Sequence, residues 1–125
     1  VATTHPKPII SFQNILISFL NLKNKFRSIS STFYDWHNSN ITWHDDGAWL
    51  YGITLYLNEH WNENWGGELL LEDNTFVKPE PNRLVIIKTP MKHKTCITTS
   101  AADNRITLQT FISTNIKTGH MYDVL

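Results

Sequence analysis

The chain has 125 residues, is 41% hydrophobic, and carries eleven Lys and Arg against eleven Asp and Glu. That apolar mass suits one core and one domain spanning 1–125, and the balanced charge, with no basic run, removes the field that would attract nucleic acid or an anionic membrane. A single cysteine, Cys96, excludes an internal disulfide framework and a cysteine-cluster metal site, and fits a reducing, cytoplasmic setting. The most apolar stretch, "IISFQNILISFL", is interrupted by Gln13 and Asn14 and is too short to span a bilayer, so no membrane partner is expected. The chain opens with Val rather than Met, which reads as a trimmed or partial product.

Phe12, Ile15, Leu16, Phe19, Leu22 and Phe26 recur at three- and four-residue steps, which predicts an amphipathic helix over about 10–27 with that stripe buried. A Ser-rich segment, Ser28 to Ser31, then marks a change of composition. Beyond it lie short β-type runs, "STFYDW", "ITW", "WLYGITLYLN", "GELLLE", "NRLVIIKT", "TCITT" and "RITLQTFIST", separated by Asn, Asp, Gly and Pro. Many short strands preceded by one helix predict a mostly β fold, an antiparallel sandwich or barrel over about 32–115 with the helix packed outside.

In "TWHDDGAW", His44 and Asp46 are alternate residues, so on a strand they would share a face while Asp45 points away. Two readings stand: surface polar residues, or part of a metal site whose groups are partly desolvated by Trp43 and Trp49. His93, between two β-runs, is the best third ligand. His37 and His60 lie in Asn-rich loops, and His5 and His120 lie near the termini. Two His and one carboxylate on a rigid sheet leave open coordination positions, a set that suits non-haem Fe(II) and oxygen chemistry.

Arg105 opens the strand "RITLQTF", with Ile106, Leu108 and Thr110 on the other side. Its planar fork matches a carboxylate, and it serves either a surface salt bridge or a carboxylate that no nearby acid supplies. Tyr56 is either a core aromatic or a hydroxyl offered to a ligand. Trp61 and Trp65, in "NEHWNENWGG", either cover the site as a lid or pack on the outside of the barrel. Gly66 and Gly67 suggest special backbone geometry.

The order His44-x-Asp46, "TLYLN" with Tyr56, "WGGELLLE", "VKPEPNRLVII", His93 and Arg105 resembles the 2-oxoglutarate and Fe(II)-dependent dioxygenases, within them the prolyl 4-hydroxylase-like group, over roughly Phe33 to Thr114. The resemblance implies a double-stranded β-helix, or jelly roll, with an N-terminal helix packed on one sheet. It implies that His44, Asp46 and His93 ligate iron, that Arg105 and Tyr56 bind the far carboxylate of 2-oxoglutarate, and that Thr107 assists the arginine. The cofactors it implies are Fe(II), 2-oxoglutarate and O2, with ascorbate as an accessory.

The implied reaction hydroxylates a C–H bond and releases succinate and CO2. The leading substrate is a prolyl residue of a peptide, with a related small molecule second. Self-association is a further expectation. The nucleic-acid dealkylating branch carries a second arginine where this chain has Phe111, so that branch is rejected. Two rivals remain, a non-catalytic jelly-roll binding module and a cupin-type metalloenzyme that does not use 2-oxoglutarate, and the second has no need of Arg105 and Tyr56. Trp43 is expected to point away from the metal side, toward packing, and Trp49 and Leu50, just beyond the turn at Gly47, to border the substrate entrance.

Overall fold

The computed structural model describes residues 7–114. Helix α1 spans Lys7–Phe19. It stops well short of 27 because Asn21 adopts a left-handed conformation, φ 56°. The Leu22 amide then bonds the Ile17 carbonyl at 2.9 Å, and the Asn21 amide bonds the Ser18 carbonyl at 3.1 Å. These two bonds close the helix in a Schellman motif, with Asn in the place that glycine usually takes. Leu22 is buried by this reversal rather than by helical periodicity.

The buried face also differs from the expected stripe. Ile9, Gln13, Leu16 and Ile17 face inward, whereas Ile15 and Phe19 are 66% and 75% exposed. Apart from one narrow face carrying Lys7, Ser11, Asn14 and Ser18, the apolar residues cover a wide arc, so three- and four-residue spacing supports more than one buried stripe. Gln13 decides which one is buried: its amide donates to the Ser31 hydroxyl at 2.9 Å, and Ser31 shares a 2.7 Å hydrogen bond with Thr110. A buried polar group needs such partners, and only this face provides them.

Among the described residues eight strands follow: β1 (Phe26–Trp36), β2 (Ile41–His44), β3 (Tyr51–Tyr56), β4 (Leu69–Leu71), β5 (Phe76–Val77), β6 (Leu84–Lys88), β7 (His93–Thr95) and β8 (Arg105–Thr114). The Ser-rich segment is therefore part of β1 and not a break. The run "TCITT" contributes only its start to β7, followed by an isolated bridge between Thr98 and Gly66.

The strands form two four-stranded antiparallel sheets, ordered β1-β8-β3-β6 and β2-β7-β4-β5. This is the expected jelly roll. One face of the first sheet carries Ile29, Ile53 and Ile112, which pack with Leu16, Ile17 and Leu22 of the helical segment into the main core. The other face looks across a cavity at the second sheet. No helix among the described residues is long and apolar enough to cross a membrane.

This packing predicts unequal losses for two apolar truncations. Ile112→Ala, at a fully buried position, should lower unfolding free energy by about 2–5 kcal/mol, and Phe19→Ala by no more than about 0.5 kcal/mol. Equal losses in urea denaturation would contradict the assigned helix face.

Candidate active site

β2 and β7 pair so that His44 lies directly opposite His93, with ring centroids 4.3 Å apart. Asp46 does not reach them by strand alternation, because β2 ends at His44. It arrives through a turn instead: Asp46 has φ 54°, and its carbonyl accepts the Trp49 amide at 2.9 Å. Aspartate tolerates that left-handed conformation better than most residues. Asp45 is occupied outside the site, accepting the Gly47 amide at 3.0 Å.

The three donor sets converge. Asp46 Oδ2 is 3.1 Å from His93 Nε2, Asp46 Oδ1 is 3.5 Å from His44 Nε2, and all three ligand atoms lie within 4.8 Å of one another. Adjacent donors sharing one cation at about 2.1 Å stand about 3 Å apart, so the spacing fits a metal ion.

The tautomers fit as well. His44 Nδ1 is 2.7 Å from the Thr42 carbonyl and His93 Nδ1 is 3.0 Å from the Met91 carbonyl. A carbonyl only accepts, so each Nδ1 carries the proton and each Nε2 lone pair faces the Asp46 carboxylate. Lone pairs and a carboxylate turned on one another require a proton or a cation between them. Burial alone would lower the His93 pKa, but the Asp46 carboxylate and the Met91 carbonyl together outweigh it and hold the pKa above the usual value.

At the other end of the cavity stands Arg105, 6% exposed. Among the described residues no carboxylate lies within ion-pair distance of it. Burial lowers its pKa, partly offset by Tyr56. Its guanidinium carbon lies 5.9 Å from the centre of the Tyr56 ring. Burial raises the Tyr56 pKa against the opposing influence of Arg105 and Arg83, so the phenol keeps its proton. Thr107 is buried at 2% exposure and pairs with both Tyr34 and Tyr56.

The cavity, about 330 Å³, is lined by His44, Asp46 and His93 and also by Arg105 and Thr107. That is at the small end for ligand sites, which run from about 300 to 1,000 Å³. Tyr56 shares this strand face but lies behind the lining.

Two contributors escaped the sequence reading, Gln109 and Gly52. Gln109 lines the cavity, and its carbonyl oxygen accepts from the Thr54 hydroxyl at 2.6 Å. Gly52 leaves room for the metal-side carboxylate, since a Cβ there would sit 3.1 Å from Asp46 Oδ2 and 3.6 Å from the Phe111 ring. A glycine inside "LYGITLY" was the available signal. Gly67, φ 76°, likewise makes room for the Arg105 side chain, 3.3 Å from where its Cβ would lie.

The tryptophans divide. Trp43 is 48% exposed, with the Lys94 ammonium 5.6 Å from its ring, so it does point off the metal side, toward solvent rather than packing. Trp49 stacks on Phe111 at 5.4 Å, and Phe111 lines the cavity. Leu50 packs against the helix-side core instead of bordering an entrance. Trp61 and Trp65 pack edge to face at 5.1 Å, and Trp61 donates to the Gly66 carbonyl at 3.1 Å. Neither lines the cavity. His37 and His60 are exposed, and His5 and His120 lie outside the described residues.

Residues 25–113 match the family described as the 2OG-Fe(II) oxygenase superfamily. The chain belongs to this family of oxidoreductases. Family membership implies Fe(II), 2-oxoglutarate and a substrate. Among solved structures, the chain is similar to a Pseudomonas putida prolyl-4-hydroxylase, with a TM-score of 0.75 at 16% identity, covering 92% of this chain and 70% of that one. It is also similar to a prolyl 4-hydroxylase from Phytophthora capsici, with a TM-score of 0.65 at 18% identity, covering 83% of this chain and 39% of that one. A 2OG-Fe(II) oxygenase family oxidoreductase from Burkholderia pseudomallei gives a TM-score of 0.55 at 17% identity, covering 70% of this chain and 44% of that one. The chain thus spans less than half the length of the last two. At these identities the likeness is one of fold. No curated protein matches the chain.

The close approach at Gly52 yields a test of the oxygenase site. Gly52→Ala should push the Asp46 carboxylate aside and weaken Mn(II) binding, in the direction of Asp46→Asn, with the circular dichroism spectrum retained. Wild-type Mn(II) affinity in Gly52→Ala, measured by calorimetry, would contradict this reading of the site.

Proposed function

We propose that the protein is a 2-oxoglutarate- and Fe(II)-dependent dioxygenase that hydroxylates a C–H bond, most readily that of a prolyl residue in a peptide or of a related small molecule. The observation that carries this reading is the pairing, in one cavity, of a cation-seeking cluster with a buried guanidinium that meets no carboxylate among the described residues. A buried Arg left without an anion costs several kcal/mol, by order of magnitude. The far carboxylate of 2-oxoglutarate answers that need.

In this reading His44, Asp46 and His93 hold the iron. The Thr42 and Met91 carbonyls keep both imidazoles in the ligating tautomer. Arg105 clasps the far carboxylate with paired N–H donors. Tyr56, kept protonated by burial behind the lining, backs the Arg105 guanidinium with its ring, and Thr107 adds a hydroxyl beside the carboxylate. Gln109, fixed by Thr54, offers its amide nitrogen between the two ends. Bound there, Fe(II) with 2-oxoglutarate and O2 supplies the oxidising power that turns C–H into C–OH, as 2-oxoglutarate leaves as succinate and CO2. Phe111 and Ile87, which also line the cavity, exclude water from it. Ascorbate is assigned the accessory task of keeping the iron ferrous.

Two features support a prolyl substrate. The similar solved structures include prolyl 4-hydroxylases. Tyr34 and Trp36, rings 5.7 Å apart, also line the cavity from β1, and their faces suit a compact, largely apolar ring.

Protein loaded anaerobically with Fe(II) and then given O2 should convert 2-oxoglutarate to succinate, and His44→Ala should abolish this. Arg105→Gln should raise KM for 2-oxoglutarate on the order of 10- to 100-fold, the worth of a hydrogen bond to a charged group. Equal succinate release by wild type and His44→Ala would sink the proposal.

A further inference from the structure

Arg105 must be held on both sides of its backbone if its guanidinium is to stay in register with the cavity, and only one side is held by a strand. Toward β1 the pairing is regular, with Arg105 opposite Trp36 and Ile106 opposite Asp35. Toward β3 the ladder ends at the pair Tyr56 and Thr107, and the last backbone bond on this side runs from the Leu57 amide to the Ile106 carbonyl at 2.9 Å.

The side chain of Asn58 takes over from there. Its carbonyl oxygen accepts the Ile106 amide at 2.8 Å, and its amide nitrogen donates to the Asn104 carbonyl at 2.7 Å. One planar amide thus bridges the residues before and after Arg105, doing with a side chain what a further strand residue would do with its backbone. Its own position is set by the adjacent end of β3, where the Tyr56 amide bonds the Arg83 carbonyl at 2.9 Å.

We propose that Asn58 is a positioning residue for 2-oxoglutarate binding. It fixes the start of β8 so that Arg105 meets the far carboxylate without a search over backbone conformations. This rests on the reading of Arg105 as the carboxylate clasp. The residue touches neither the cavity nor the metal cluster, so its effect should fall on one ligand and not the other. That selectivity separates positioning from a general structural role.

The test compares wild type, Asn58→Ala, Asn58→Ser and Arg105→Gln. Dissociation constants for Mn(II), and for 2-oxoglutarate with Mn(II) bound, come from calorimetry, and KM and kcat from succinate release. Asn58→Ala and Asn58→Ser, whose side chains are too short to bridge both groups, should weaken 2-oxoglutarate on the order of three- to tenfold, the net worth of a hydrogen bond. KM should rise with kcat retained, and Mn(II) affinity should stay at the wild-type value. If Asn58→Ala does not fold, the serine variant decides the matter. Unchanged 2-oxoglutarate affinity in a folded Asn58 variant, while Arg105→Gln loses it, would overturn the positioning role alone. Equal weakening of Mn(II) and 2-oxoglutarate would reduce Asn58 to a structural residue. Failure of wild type to bind 2-oxoglutarate would overturn the clasp and this inference with it.

Discussion

The two-residue period of β8 is the constraint on which the molecule depends. This ten-residue strand is hydrogen-bonded on both sides, to β1 and to β3, so its register is held twice. Leu108, Thr110 and Ile112 turn to the buried helix side, while Arg105, Thr107, Gln109 and Phe111 turn to the cavity. A slip of one residue would exchange the two sets, placing a guanidinium in the core and isoleucine in the site. Packing and function are therefore enforced by the same ladder. The polar link from Gln13 through Ser31 to Thr110 ties the helix to that register from behind.

The second dependence is electrostatic. A chain of zero net charge nevertheless concentrates a cation at one end of a small cavity and a carboxylate with two imidazole lone pairs at the other. Both ends are costly to bury alone. In the proposed reading each would be relieved by a ligand of opposite charge, a cation at one end and a dicarboxylate at the other. Gly52 and Gly67 serve these two ends by the absence of a side chain, one beside Asp46 and the other beside the Arg105 stem.

Much of this was legible in the residues. Alternation in "RITLQTF" placed Arg105 and Thr107 on one face and Ile106, Leu108 and Thr110 on the other, and the strand-rich pattern with one leading helix is the architecture found. The rest depended on backbone states that periodicity does not encode. Helix α1 was too long and out of phase in the sequence reading because a segment whose apolar residues cover a wide arc leaves the buried stripe open, and because Asn21 ends it in a conformation more often assigned to glycine. Asp46 was named for a wrong reason: strand alternation was expected, whereas a left-handed turn delivers the carboxylate. Leu50, expected at the substrate entrance because it lies just beyond the turn at Gly47, packs against the helix-side core instead. Gln109 left no signal of its own, and Asn58, though it closes the quoted "TLYLN", gave none of its role, since an amide in a strand or at its end becomes meaningful only when its partner across the sheet is known.

The central claim is that one cavity binds a metal ion and the far carboxylate of 2-oxoglutarate at opposite ends. Calorimetric titration of 2-oxoglutarate into the protein, with and without Mn(II), tests it most directly. The account predicts one-to-one binding that is tightened by Mn(II) and weakened by Arg105→Gln in either condition. Affinity indifferent to both the metal and Arg105 would contradict it.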